Sequence, residues 1–452
     1  MSRRNEINMC SGNLLKNIIM FTIPLIITGM LQLAFNMADV IVVGRFAGKE
    51  SLAAVGSTSS IINLLINLFI GMASGTTVAI SKYFGSRSTD KVYRTVHTAV
   101  ALSVIGGIIM GIIGFVLSRT FLTLMDSPTD VIDKATLYMQ IYFIGLPAMF
   151  LYNFESAILR AVGNTKKPLI FLTIAGVINV ILNLIFVILF HMDVAGVAWA
   201  TTISQVVSAL LCTLYLMRSD GAAYQLFIRD IKFYKEQLLE IIKLGVPAGI
   251  QGSLFSFSNV LIQSAFNSLG SIAVAGCSAA SSIQGFAYTA MNSVHQATLT
   301  SVSQNYGAKN EERIKKSFYI CLVLVTIVGL TLGGGIYALR DLLIGIYNSD
   351  PEVIYYGGIR LTYECLPYFL CGLMEVIVGL IRGLSYSIMP VIITLIGTCI
   401  LRVTWVYTVF PAFGTLESIV TAYPITWGVT ALAQFISYMC VRKKAYKKMM
   451  EQ

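Results

Sequence analysis

The chain has 452 residues, 56% of them hydrophobic and 12% charged, and carries a formal net charge of +10. A soluble chain of this length needs far more charge to cover its surface, so composition excludes a soluble enzyme and points to a protein that crosses a membrane many times. The basic excess does not mark a nucleic-acid partner, because lysine and arginine sit in short loops between apolar runs.

Those runs are long and unbroken, which is the pattern of helices and not of the short alternating strands of a barrel. Twelve are marked, at 17–44, 53–80, 95–118, 131–157, 168–190, 194–217, 239–264, 272–302, 317–339, 353–380, 388–411 and 417–441. Each is long enough to cross about 30 Å of hydrocarbon.

The first run holds Pro24 and one acid, Asp39, the only charged side chain from Asn17 to Gly44. Asp39 falls about six residues, or roughly 9 Å, short of the end of its helix, too deep for a short side chain to reach water. In the fourth run Glu155 lies five residues before Arg160, where a solvated surface charge is the plainer expectation and a gate the sharper one. The fifth run places Asn179 and Asn183 four apart, on one helix face. Amides at that spacing either coordinate a cation, bond a carboxylate, or simply hold helices together. The sixth run carries Thr201 and is followed by a polar, charged stretch at 218–243.

The seventh and eighth runs contain Pro247, Gln251, Phe255, Phe257, Tyr288 and His295. Gln251, Tyr288 and the aromatic residues, with Tyr363 of the tenth run, are candidates to line an amphipathic cavity, where rings hold a lipophilic cation. His295 is expected to be a hydrogen-bonded packing residue. The tenth run places Glu364 and Glu375 eleven apart, about three turns and so on one face. Arg402 lies inside the eleventh run, where an arginine needs a carboxylate partner. Glu375 is the expected partner, either as a static ion pair or as a substrate or coupling acid.

Eight cysteines occur without a CxxC pair, and the three histidines are scattered, so neither a metal centre nor a disulfide framework is expected. The first run is too long for a cleavable signal. Basic residues alternate strongly between loops: 25 fall on one side of the membrane, 5 on the other and 2 inside runs. This bias places both termini in the cytoplasm.

The chain also repeats itself. "SKYFGSR" at 81–87 is matched by "SQNYGAK" at 303–309, and "RAVGNTKKP" at 160–168 by "RGLSYSIMP" at 382–390. "SLAAVG" at 51–56 is matched by "SIAVAG" at 271–276, and Pro24 by Pro247. Offsets of 220 to 223 residues in one order make two six-helix halves, 1–217 and 244–452, joined by the stretch 218–243. An even number of spans in each half makes the repeats parallel, an arrangement that sets a substrate between halves in transporters.

At these residues the chain resembles the multidrug and toxic compound extrusion (MATE) family. The resemblance rests on "PLIITGMLQLAFNMADVIVVG", on "LRAVGNTKKP" with its partner "IRGLSYSIMP", and on "SQNYGAK". It covers nearly the whole chain and is closest to bacterial, DinF-like members. It implies an all-α fold of twelve spans in two parallel lobes forming a V, and efflux of amphipathic, often cationic, compounds in exchange for H⁺ or Na⁺. It implies a monomer in the bacterial plasma membrane, with no cofactor. It also implies a cation site at Asp39, Asn179, Asn183 and Thr201. One departure stands out: the second fifth-run position is Asn183, where the family pattern has an acid. One carboxylate holds less charge than two, which favours a proton at Asp39 over Na⁺. Some members carry acids in the seventh and tenth helices; here the seventh has none between Pro247 and Gln263, and Cys371 stands eleven before Arg382.

Two rival functions are weaker. A lipid-linked oligosaccharide flippase needs a basic cavity, for which only Arg402 and Arg360 are available. A membrane-embedded enzyme lacks any HExxH, GxSxG or histidine–carboxylate cluster. The charge bias makes a direct prediction: a cysteine introduced at Lys91 or Lys235 is labelled by impermeant reagent only from the cytoplasm. Labelling on intact cells contradicts the twelve-span topology.

Overall fold

The structure, a computed structural model, describes residues 6–125 and 131–451. Arg3 and Arg4 of the basic count lie outside the described residues, as does the side chain of Lys49. The described residues form helices joined by short turns, save the longer connection 218–234. The first half runs α1 (Leu14–Val42), α2 (Lys49–Gly85), α3 (Thr89–Leu124), α4 (Ile132–Ile144), α5 (Leu146–Ala161), α6 (Lys166–Leu184) and α7 (Asp193–Met217). The second runs α8 (Lys235–Asn267), α9 (Ser271–Gly307), α10 (Glu311–Ala338), α11 (Arg340–Tyr347), α12 (Pro351–Cys365) and α13 (Tyr368–Gly383). It ends with α14 (Ile388–Thr394), α15 (Leu401–Thr408), α16 (Phe410–Phe413), α17 (Leu416–Val420) and α18 (Ala422–Glu451).

Among the described residues, nine helices are long and apolar enough to cross a bilayer, and two bent pairs raise the number to eleven. The pairs are α4 with α5, bent by 47°, and α12 with α13, bent by 46°. Each bend falls next to a proline, Pro147 or Pro367, whose missing N–H and ring break the helical ladder. The remaining long helix, α9, has 37 residues. It falls short on apolarity because it is rich in alanine, serine, threonine and glycine. Such small side chains suit its position, packed against α10, α12 and α13 at once.

The described chain divides into two compact units. One takes the residues up to Asn8 together with Met30–Gly249; the other takes Met9–Gly29 together with the chain from Ile250 onward. The long helices α1 and α8 therefore each contribute to both units, changing over a few residues after Pro24 and Pro247. The stretch 218–243 is bound to the first unit. Tyr93 donates to Asp230 at 2.5 Å, the Phe227 N–H to His97 Nε2 at 3.1 Å, and the Tyr234 N–H to Thr98 at 3.1 Å. Lys82 pairs with Glu240 at 3.2 Å, and Tyr83 donates to the same carboxylate.

The repeat is also written in the backbone. Left-handed residues recur at matched places: Gly48 (φ 88°) and Gly270 (94°), Arg87 (56°) and Lys309 (55°), Gly163 (86°) and Ser385 (69°). Arg87 and Lys309 sit just past the helices that end in "SKYFGSR" and "SQNYGAK". Both motifs thus build the same turn, one that a side chain enters only at a cost of about 1–2 kcal/mol.

Helix α3 shows how the units pack. Ser103, Gly107, Gly111, Gly114 and Ser118 are buried, while Ile105, Ile108, Ile109, Ile112 and Val116 are exposed. This is inside-out relative to a soluble helix, with small residues toward protein and large ones toward lipid. A Cβ added at Gly107 would lie 2.6 Å from the Pro147 Cα, so backbone meets backbone there. Gly107→Val should force α3 off α5 and lower the unfolding temperature in detergent. Ile112→Val, at a side chain 61% exposed, should leave it nearly unchanged.

Candidate functional site

In the first unit the close approach of α1 to α6 sets the site. A Cβ at Gly176 would lie 1.8 Å from the ring of Phe35, so only a glycine lets that ring seat against α6. One turn beyond Phe35 on α1 is Asp39; one and two turns beyond Gly176 on α6 come Asn179 and Asn183. The sequence pattern that put both amides on one face therefore delivers them to the acid.

The result is a closed ring of hydrogen bonds. The Asn183 amide donates to Asp39 Oδ1 and, at 3.3 Å, to Asn179 Oδ1. Asn179 donates to Thr201 Oγ1 at 3.4 Å, and Thr201 donates to Asp39 Oδ2 at 3.5 Å. Every donor chain ends on the carboxylate, and hydrogen bonds in series polarise one another. Asn183 and Asn179 are buried, at 0% and 5% exposure, while Asp39 and Thr201 are partly buried. The Asn183 carbonyl oxygen is buried without a partner among the described residues. The four residues predicted from sequence thus stand together.

Two features of this site were not read from sequence. Tyr138 and Tyr142 of α4 lie in the neighbourhood of Asp39. Nothing in their spacing announced this, because the bend at Gly145 decides where α4 points. A π-helical turn, Val43–Ala47, follows Asp39, and another, Ile185–Leu189, follows Asn183. Such turns recur beside functional residues, where they rotate the helix that follows.

In the second unit the structure separates residues that sequence reasoning had joined. Glu375 was expected to pair with Arg402. Instead its carboxylate stands 3.5 Å from His295 Nδ1, and its backbone carbonyl accepts from that nitrogen at 2.6 Å. No ion pair joins Glu375 to Arg402 among the described residues. Arg402 donates to Thr426 at 3.0 Å and lies over the ring of Tyr423, 4.1 Å from its centroid. The buried ion pair is Arg360–Glu364, one turn apart on α12 at 3.1 Å. The break between α12 and α13 lies between the two glutamates, so they do not share the straight-helix face that their spacing suggested.

His295 is a buried, hydrogen-bonded histidine, as expected. Gln251 is buried and accepts from Arg382 at 2.7 Å, so it anchors the "RGLSYSIMP" turn to α8. Tyr288, Phe257 and Tyr363 present 40%, 60% and 40% of their surface, and Phe255 is partly buried. Glu155, expected at a solvated surface, is fully buried in the first unit. One of its oxygens accepts from Thr213 at 2.6 Å, and the other has no partner among the described residues. It is drawn inside because the apolar packing of α5 against α2, α3 and α7 continues past it to Ala161.

Comparison with known proteins agrees with this architecture. The family model MatE matches twice, over residues 24–185 and 247–408, which are the two repeats. The probable multidrug resistance protein YpnP of Bacillus subtilis (strain 168) is 28% identical over 441 residues, spanning 98% of both chains. The multidrug export protein MepA of Staphylococcus aureus (strain NCTC 8325 / PS 47) is 20% identical over 431 residues, spanning 94% of this chain and 93% of that one. Among solved structures, an outward-facing multidrug resistance MATE family transporter of the MOP superfamily superposes with a TM-score of 0.91. It is 22% identical and matches over 99% of this chain and 100% of that one.

The corrected pairing moves the expected stability effect. Glu364→Gln leaves Arg360 buried without its counter-charge and should cost about 3–5 kcal/mol, read as a fall in unfolding temperature. Glu375→Gln, which breaks no direct arginine salt bridge, should cost less.

Proposed function

The chain belongs to the MatE family, and on that premise we propose that it is an ion-coupled multidrug efflux antiporter of a bacterial plasma membrane, with both termini in the cytoplasm. Its substrates in this reading are amphipathic, often cationic, organic compounds; the multidrug names of its relatives support transport of drugs. The observation that carries the reading is the ring around Asp39: one carboxylate within an apolar helix, served by three neutral polar side chains.

That geometry supports coupling. As arranged, Asp39 only accepts hydrogen bonds, which suits its charged form. A proton arriving on Oδ1 turns an acceptor into a donor and collides with the Asn183 amide hydrogens. Turning that amide by half a rotation presents its unpartnered oxygen instead. Protonation is then a rearrangement of α1 against α6 and not merely a change of charge. Na⁺ would need the same turn, gathering oxygens from Asp39, Asn183, Asn179 and Thr201. With one carboxylate in the ring, a proton is the better-matched ion.

The two ligands are linked if each prefers a different shape of the protein; no direct contact between them is required. Exchange of one proton for one monovalent cationic drug moves no net charge. Its driving force is the pH difference alone, about 1.4 kcal/mol or a tenfold drug gradient per pH unit. A neutral drug exchanged for a proton adds about 2.3 kcal/mol for each 100 mV of membrane potential.

Asp39→Asn keeps the shape of the ring and removes its titration. In vesicles at matched expression it should still bind ethidium but lose gradient-driven transport. Accumulation equal to wild type sinks the coupling role and leaves Asp39 structural. Asn183→Asp adds a second acid and should shift dependence toward Na⁺, seen by imposing Na⁺ and H⁺ gradients separately.

A further inference from the structure

The second unit gathers two guanidinium groups around one carboxylate. Arg360, Arg402 and Glu364 are 8%, 2% and 2% exposed. Both oxygens of Glu364 are occupied: Oε1 accepts from Arg360 Nε at 3.1 Å and Oε2 from Gln284 at 2.9 Å. Arg360 is completed by the Cys277 carbonyl at 3.1 Å and the Phe266 ring at 5.0 Å. Arg402 is not completed. Beyond Thr426 and the Tyr423 ring, its Nε is buried with no partner among the described residues. The two cations share one surface, since Arg360 also lies over Tyr423, at 5.8 Å.

Arginine stays charged in proteins, so the cluster carries two positive charges against one negative. A buried charge without a counter-charge is costly, and an aromatic face offsets only part of that cost. Glu375 does not supply the missing charge, because it stands with His295. Arg402 also follows directly on a π-helical turn, Leu395–Ile400, as Asp39 and Asn183 are each followed by one.

We propose that Arg402, with Arg360 behind it, forms a binding site for a small monovalent anion such as chloride. The anion takes up the unpartnered Arg402 donor and brings the cluster to neutrality. A single negative charge matches the excess; a divalent anion would reverse it. The bound ion acts as a counter-ion that holds α12, α15 and α18 together, a role distinct from cation coupling at Asp39 and independent of the efflux reading.

The test is the unfolding temperature of the purified full-length protein in detergent, titrated with sodium chloride against sodium gluconate at constant ionic strength. Chloride should raise it saturably, by about 2–4 °C. Arg402→Met removes the excess charge and should lose the chloride-specific rise. Glu364→Gln adds a second uncompensated charge; it should start lower and show a larger rise than wild type. Equal unfolding temperatures in the two salts for wild type and Glu364→Gln overturn the proposal, as does a wild-type rise retained by Arg402→Met. If Arg402→Met does not fold, a rise in Glu364→Gln no larger than that of wild type overturns it.

Discussion

A polar side chain inside a bilayer has no water to turn to, so other side chains of the protein must supply its partner. That constraint shapes both units. In the first, Asp39 on α1 is met by Asn183 and Thr201 on α6 and α7, with Asn179 closing the ring. In the second, Glu364 on α12 is met by Arg360 on the same helix and Gln284 on α9. The apolar packing exists to bring such partners within reach. Gly176 admits Phe35 and so sets Asp39 against Asn183, and the small face of α3 lets α5 approach at the level of its backbone.

The two repeats share a backbone plan and differ in charge. Turns at Arg87 and Lys309, and at Gly163 and Ser385, repeat in conformation. The side chains do not follow. The first unit concentrates an acid among neutral hydrogen-bonding groups, and the second concentrates arginine among aromatic rings. Duplication supplied the frame, and substitution on it separated an acidic site from a basic one. The polar group that carries a negative charge at Asp39 thus has its counterpart in a positive one at Arg402.

Much of this was legible in the sequence because bilayer physics writes itself into one dimension. Apolar runs, the bias of basic loops and the 222-residue repeat all survive without knowledge of packing. The Asp39 ring was legible too: Asn179 and Asn183 share a face by spacing, and the family resemblance tied that face to α1. What stayed hidden depended on breaks and rotations. Pro147 and Pro367 bend two spans, so Tyr138 and Tyr142 come near Asp39 unannounced, and Glu364 and Glu375 part company. Glu155 lies near a basic loop in sequence, yet the packing of α5 closes over it. Periodicity says which residues share a helix face, but not which neighbour that face meets.

The proposed exchange of an ion at Asp39 against drug is read most directly as ion displacement by the purified protein. Ethidium is added in weakly buffered detergent solution and the release of protons is followed with a pH indicator, in parallel with a sodium-selective electrode. Ethidium binding to wild type should displace an ion, and Asp39→Asn should bind ethidium without displacing one. Equal displacement by both proteins would place Asp39 outside the exchange.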